Sequence, residues 1–138
     1  MKISANLTFL ILDDDQRMRI ILKEVLWKNG FNGPFFESDD VEFAKIILEN
    51  QKISGGKAID IILCDWEMPK GTGLEFVKWI RKEADYINTP FLMITSVNQQ
   101  EKVLDALNSG VTNYLLKPFS SNEFIKKLKN IIKQHQDI

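Results

Sequence analysis

Five residues each close an apolar run and carry an oxygen or nitrogen that can meet a cation or a phosphoryl group. Asp13 and Asp14 follow the run Leu7 to Leu12, Asp65 follows Ala58 to Cys64, Thr95 follows Phe91 to Ile94, and Lys117 follows Thr112 to Leu116. In an open parallel α/β sheet, sites form outside the carboxyl ends of the strands, near the point where strand order reverses. If these runs are such strands, three carboxylates, a hydroxyl and an ammonium converge on one edge. Carboxylates packed together repel, and the cluster is costly unless a cation binds. Oxygen ligands without His or Cys suit a hard ion, and a small number of them suits Mg²⁺, which retains waters. A carboxylate beside such an ion can act as nucleophile and form an aspartyl phosphate. Lys117 would pair with the phosphoryl group as a point charge, and Thr95 would donate to one of its oxygens. These residues point to Mg²⁺-dependent phosphoryl chemistry.

The elements that must position them are legible as alternating short apolar runs and amphipathic stretches. After the first run, Met18, Ile21, Leu22, Val25 and Leu26 recur at helical spacing and stop at Gly30. Residues 33–36 read as a short strand whose Pro34 suits an edge or a strand start. Ser38, ahead of Asp39, Asp40 and Glu42, predicts a helix N-cap, with Val41, Ala44, Ile47 and Leu48 facing inward. Residues 51–57, with Gly55-Gly56, read as a loop, and 58–64 as a fully buried parallel strand. A helix from about Thr72 carries Leu74, Phe76, Val77 and Ile80. A strand over 91–94, a helix over 99–108 stopped at Gly110 and a strand over 112–116 follow. Ser120 or Ser121 caps a last helix with Phe124, Ile125, Leu128, Ile131 and Ile132 on one side. Five strands alternating with five helices predict one doubly wound α/β domain over 1–138, a parallel sheet with helices on both faces.

Composition agrees. A chain of 138 residues can bury a core without disulfide or metal staples. A hydrophobic fraction of 44% with a net charge of -1 excludes disorder. The 18 basic and 19 acidic residues remove the electrostatic case for direct nucleic-acid or membrane-surface binding. No apolar run approaches the roughly 20 residues of a membrane span, and the N-terminus lacks the apolar stretch of a signal peptide. The one cysteine, Cys64, cannot form an internal disulfide. A cytoplasmic protein is expected.

With these residues in place, the sequence resembles the receiver domains of two-component response regulators, most of all the stand-alone CheY-like kind with its flavodoxin-like fold. The resemblance rests on Phe9 to Asp14, on Cys64-Asp65-Trp66-Glu67-Met68-Pro69 with Gly73-Leu74-Glu75, on Met93 to Ser96, and on Leu115-Leu116-Lys117-Pro118-Phe119. Their order and spacing agree over essentially the whole chain. The resemblance implies that Asp65 is the phosphoacceptor. It also implies that Asp14, Asp65 and the backbone carbonyl of Glu67 hold Mg²⁺, with Asp13 acting through water. Thr95 and Lys117 would contact the phosphoryl group, and the Lys117-Pro118 bond would be cis. Tyr114 would switch with Thr95, and the last two helices with the last strand would form the output face. The implied partners are a sensor histidine kinase or histidine phosphotransfer protein and a downstream protein, such as a flagellar switch or a relay protein. Glu67 and Val97 depart from the chemotaxis member, which has Asn and an acid there, and Gln99 and Gln100 stand in place of lysines.

Two other readings stay open on the residues. Asp13-x-Asp15 after an apolar strand has the look of a haloacid-dehalogenase-like phosphatase, although Arg17 stands where that family prefers Thr or Val. A receiver cut from a longer regulator, or one that dimerises on phosphorylation, is the alternative to a monomeric switch. Among the remaining residues, Asp15 is expected to cap a helix, Trp27 and Trp79 to pack, and Trp66 to be half-exposed. Cys64 is expected to be an inert core residue, and His135 and the Lys126-Lys127-Lys129 cluster to be solvated.

Overall fold

In a computed structural model that describes residues 6–53 and 58–136, the alternation predicted from the sequence is realised element by element. The order is β1 (Phe9–Leu12), α1 (Gln16–Lys28), β2 (Phe35–Ser38), α2 (Val41–Ile53), β3 (Ile61–Cys64), α3 (Gly73–Ile80), β4 (Phe91–Thr95), α4 (Gln100–Asn108), β5 (Asn113–Leu116) and α5 (Ser121–Gln136). The strands form one parallel sheet in the order β2-β1-β3-β4-β5. Strand order therefore reverses at β1, and the crevice between β1 and β3 is where a doubly wound sheet binds its ligand.

Continuous apolar strands conceal a period of two, because each face of the sheet is covered. Phe9, Ile11, Ile61, Leu63, Leu92, Ile94 and Leu115 join the layer of α1 and α5, among them Leu22, Leu26, Phe124 and Leu128. Leu10, Leu12, Ile62, Cys64, Met93 and Tyr114 join the opposite layer with Ala44, Leu48, Phe76, Val77, Ile80 and Ala106. Burying both faces leaves only the strand ends for polar chemistry.

Several expectations are corrected. β2 lies two residues later than predicted: Pro34 offers no N–H, its carbonyl accepts from Phe9 N at 3.0 Å, and ladder pairing starts with Phe35. Ser38 is thus the last strand residue, and Asp40 caps α2, its Oδ1 accepting from Phe43 N at 2.8 Å. Helix α2 continues through Ile53, so the predicted loop does not begin at Gln51, and Gly55-Gly56 lies outside the described residues. Ile21 faces solvent, because the inward stripe of α1 is Met18, Leu22, Val25 and Leu26. Trp27, expected to pack, is 68% exposed, whereas Trp66, expected half-exposed, is buried in the core. Trp79 packs as expected, stacked on Phe76.

Other boundaries follow from caps. Ser120 Oγ accepts from Glu123 N while Glu123 Oε1 accepts from Ser120 N, a reciprocal capping box that starts α5. Gly110 ends the α4–β5 turn at φ 115°, and a Cβ there would meet Arg81 Cγ at 2.7 Å. Arg81 at the end of α3 donates to the carbonyls of Gly110, Tyr86 and Ile87 and so ties two loops together. Among the described residues, no helix is long and apolar enough to cross a membrane.

Candidate functional site

Register places the acids. Leu12 sits opposite Cys64 across the β1–β3 ladder and opposite Ser38 across β1–β2. The chain leaves both central strands at one level, with Asp65 N donating to Leu12 O at 2.9 Å and Asp13 N to Ser38 O at 3.1 Å. Side-chain carboxylate oxygens of Asp13, Asp14 and Asp65 consequently lie within 4.8 Å of one another. Asp13 and Asp65 are buried and Asp14 is exposed. Lys117 reaches the same point from the end of β5. Its Nζ donates to Asp13 Oδ2 at 2.9 Å and to Asp65 Oδ2 at 3.2 Å. The Lys117-Pro118 bond is cis, as the resemblance implied.

The electrostatics follow from this crowding. Burial pushes the Asp13 carboxyl up, the hydrogen bonds from Asp15 N and Lys117 pull it back in part, and the result lies above the usual carboxylate range. Burial alone would lower the Lys117 ammonium, but its bond to Asp13 and the charges of Asp13 and Asp65 outweigh that, so its pKa is raised. Lys117 is the ammonium that answers two buried acids. Asp65 is further fixed by its own loop, with Oδ1 accepting from Trp66 N at 2.6 Å and from Glu67 N at 3.4 Å. Gly73 allows that loop to turn tightly under α3, since a Cβ at this position would lie 2.2 Å from the Asp65 carbonyl oxygen.

Asp13 is held at every polar atom. Its N–H is bonded to Ser38 O, its Oδ1 accepts from Asp15 N at 2.9 Å, its Oδ2 accepts from Lys117, and its carbonyl accepts from Arg19 Nη1. Arg19 in turn donates from Nε to Glu37 Oε1 at 3.1 Å, and Lys23 donates to Glu37 Oε2 at 2.6 Å. Neither Arg19 nor Glu37 was singled out by sequence reasoning. Their pairing depends on the β2 register, which the sequence pattern misplaced. The available signal was a lone Arg flanking the apolar stripe of α1, between Met18 and Leu22.

The structure brings Asp13, Asp14, Asp65 and Lys117 together, and Thr95 ends the neighbouring strand without bonding to them. Thr95 is 1% exposed, and its Oγ1 accepts from Val97 N at 3.4 Å. Tyr114 is buried, and its hydroxyl donates to Val97 O at 2.6 Å. Burial first, then the charges of Asp65 and Glu67, push its pKa up to about 12, so it remains a hydrogen-bond donor at neutral pH. Thr95 and Tyr114 thus meet on the backbone of one residue, Val97. Glu67 has an exposed side chain beside this group. Cys64 is an inert buried thiol, as expected: burial and the nearby acids raise its pKa well above normal, and Sγ donates to Asp65 O.

Asp15 does not join the acid cluster. Its Oδ1 accepts from Arg17 N and caps α1, so the pair required by the dehalogenase-like alternative is not assembled. Lys127 is not simply solvated, because Nζ donates to the carbonyl of Tyr114. His135 is half-buried and bonded through Nδ1 to Ile131 O. The donor set itself fits a hard cation: three carboxylate oxygens in close range, no His or Cys among them, and one exposed member that leaves room for water ligands.

The family model for the response regulator receiver domain matches residues 9–129. The chain is a response regulator receiver domain. A CheY homologue of Campylobacter jejuni is 32% identical over 123 residues, which cover 89% of this chain and 90% of the relative. The Vibrio cholerae chemotaxis protein CheY-3 is 33% identical over 132 residues, 96% of each chain. Among solved structures, Vibrio cholerae CheY4 superposes with a TM-score of 0.77 at 30% identity, covering 91% of this chain and 98% of that one. A putative response regulator from Chloroflexus aurantiacus reaches a TM-score of 0.81 at 26% identity, covering 93% and 98%. The receiver is therefore CheY-like, with the five-stranded parallel fold of its relatives.

Proposed function

We propose that this receiver is a phosphorylation-driven signalling switch whose phosphoacceptor is Asp65. The observation that carries this reading is Lys117 Nζ lying between Asp13 and Asp65 at the sheet's switch point, with Asp14 alongside. Mg²⁺ would be held by Asp14, Asp65 and the Glu67 backbone carbonyl, and by Asp13 through water. Bound there, it supplies positive charge to the oxygens of the transferring phosphoryl group. The Asp65 carboxylate attacks the phosphorus of a phosphohistidine on a sensor kinase or phosphotransfer protein. An O–P bond forms, the N–P bond breaks, and the imidazole leaves with a proton from solvent. Asp65 is suited to this by its loop, which fixes Oδ1 on two backbone N–H groups.

Lys117 exchanges a carboxylate partner for a phosphoryl oxygen, and Thr95 donates its hydroxyl to another. The Thr95 rearrangement acts on Val97, and Tyr114 follows because its hydroxyl bonds the same residue. Phosphorylation adds about -1.5 to -2 charges at one point, enough to bias such an arrangement. The output surface is α4, β5 and α5, where Leu104, Leu107 and Leu116 are exposed apolar residues. The names of the relatives support a chemotaxis pathway; the output partner proposed for this face is a downstream protein such as a flagellar switch or a relay protein. The domain performs its own phosphoryl chemistry in the cytoplasm and no metabolic turnover, as a monomer in its resting state.

Incubation with a small acyl phosphate donor and Mg²⁺, followed by intact-mass measurement, tests the reading. One added phosphoryl group that disappears without Mg²⁺ and in Asp65→Asn is expected. Labelling of Asp65→Asn at the native level would overturn it.

A further inference from the structure

The Asp13 carbonyl and the end of β2 are joined by a charged link that lies outside the acid cluster. Arg19, with its side chain only 15% exposed, donates from Nη1 to the Asp13 carbonyl and from Nε to Glu37 Oε1. Glu37 is the penultimate residue of β2 and is also held by Lys23 from the next turn of α1. A guanidinium is planar, so fixing its Nε edge on Glu37 fixes where Nη1 points. Arg19 thereby meets the one polar atom of Asp13 that the ladder, Asp15 and Lys117 leave unbonded.

Resting on the proposed cation-dependent switch, we infer that Arg19, oriented by Glu37, is a positioning residue that sets the Asp13–Asp14 turn for divalent-cation binding. The reason is geometric. Asp14 is exposed and follows directly on the carbonyl that Arg19 grips, so the peptide plane joining Asp13 to Asp14 is set by that bond. A carboxylate that must meet a small ion at a fixed distance tolerates little rotation of this plane. Groups that orient metal ligands typically change metal affinity about 10-fold to 100-fold when removed. Lys23 serves as the contrast, since it binds the same Glu37 but makes no bond to Asp13.

Mg²⁺ titration of the unphosphorylated protein, read by fluorescence of the buried Trp66 beside Asp65, is the test. Urea unfolding in EDTA serves as the parallel stability readout. Arg19→Met is expected to weaken Mg²⁺ affinity about 10-fold, Glu37→Gln by less, and Arg19→Lys to recover part of the loss. Lys23→Met is expected to lower the urea midpoint slightly while leaving Mg²⁺ affinity within about 2-fold of native, since the partly exposed Lys23–Glu37 pair contributes little to stability and makes no bond to Asp13. Equal Mg²⁺ affinities for native, Arg19→Met and Lys23→Met would overturn the inference while leaving the switch intact, and so would an equal loss in both variants. A native protein that gives no saturable Mg²⁺ response would overturn the proposed cation site and this inference with it.

Discussion

The two ends of the sheet handle charge in opposite ways. At the amino end, charged side chains are answered by backbone. Asp60 Oδ2 accepts from Thr8 N at 2.8 Å, and the Arg81 guanidinium is spread over three carbonyls. At the carboxyl end, charges face charges: three carboxylates lie close together, and one lysine bonds two of them, Asp13 and Asp65. The first arrangement is complete within the protein. The second leaves more negative than positive charge at one point, an excess that a sequence selected for stability alone would have removed.

Removing the lysine is the severest way to probe that contrast. Lys117→Met leaves two buried carboxylates facing each other and should lower unfolding free energy by about 3 kcal/mol in EDTA, the scale for breaking a buried pair. Urea unfolding with added Mg²⁺ should recover part of the loss, because a ligand bound only by the folded state stabilises it. At the other end, Arg81→Met should cost about 2 kcal/mol, since three hydrogen bonds to carbonyls vanish together. No Mg²⁺ concentration should restore it, and phosphoryl uptake should remain native. If Mg²⁺ rescued both variants equally, the two ends would not differ in kind.

The pH dependence sharpens the comparison through sign. The Asp13 pKa is raised in the folded state, so its contribution is fully present below the unfolded value of 3.8 and is lost as pH rises through the folded value. Glu37 behaves inversely. Although burial raises it, the bonds to Lys23 and Arg19 prevail and its pKa is lowered. Its contribution is present above the unfolded value of 4.5 and is lost as pH falls through the folded one. In EDTA, Asp13→Asn should therefore make the stability profile rise more steeply with pH across the acid range. Glu37→Gln should flatten that rise by a few tenths of a kcal/mol, the scale of a partly exposed pair. Chemical unfolding at successive pH values reads both.

How much of this was legible follows from which residues depend on long-range register. Asp13, Asp14, Asp65, Thr95 and Lys117 were readable because parallel strands buried on both faces force polar groups to their ends. Glu37 and Arg19 were not, since their meeting requires β2 to begin after Pro34 rather than before it. Capping residues show the same dependence: Asp40 and Ser38 are equally good caps by type, and the strand's extent decides between them. The aromatic positions failed for a different reason. Trp27 follows the inward residue Leu26 but lies on the outer face of α1, and Trp66 is drawn inward by a loop whose path is set by Gly73 and Asp65. Helical spacing could place neither.

The central claim is that the acids at the carboxyl end act as one site with a single acceptor. Borohydride trapping after treatment with an acyl phosphate and Mg²⁺, followed by peptide mass mapping, tests this most directly, because reduction converts an aspartyl phosphate into homoserine at the acceptor position. Conversion confined to Asp65 is the predicted result; conversion at Asp13 or Asp14 in place of Asp65 would contradict it.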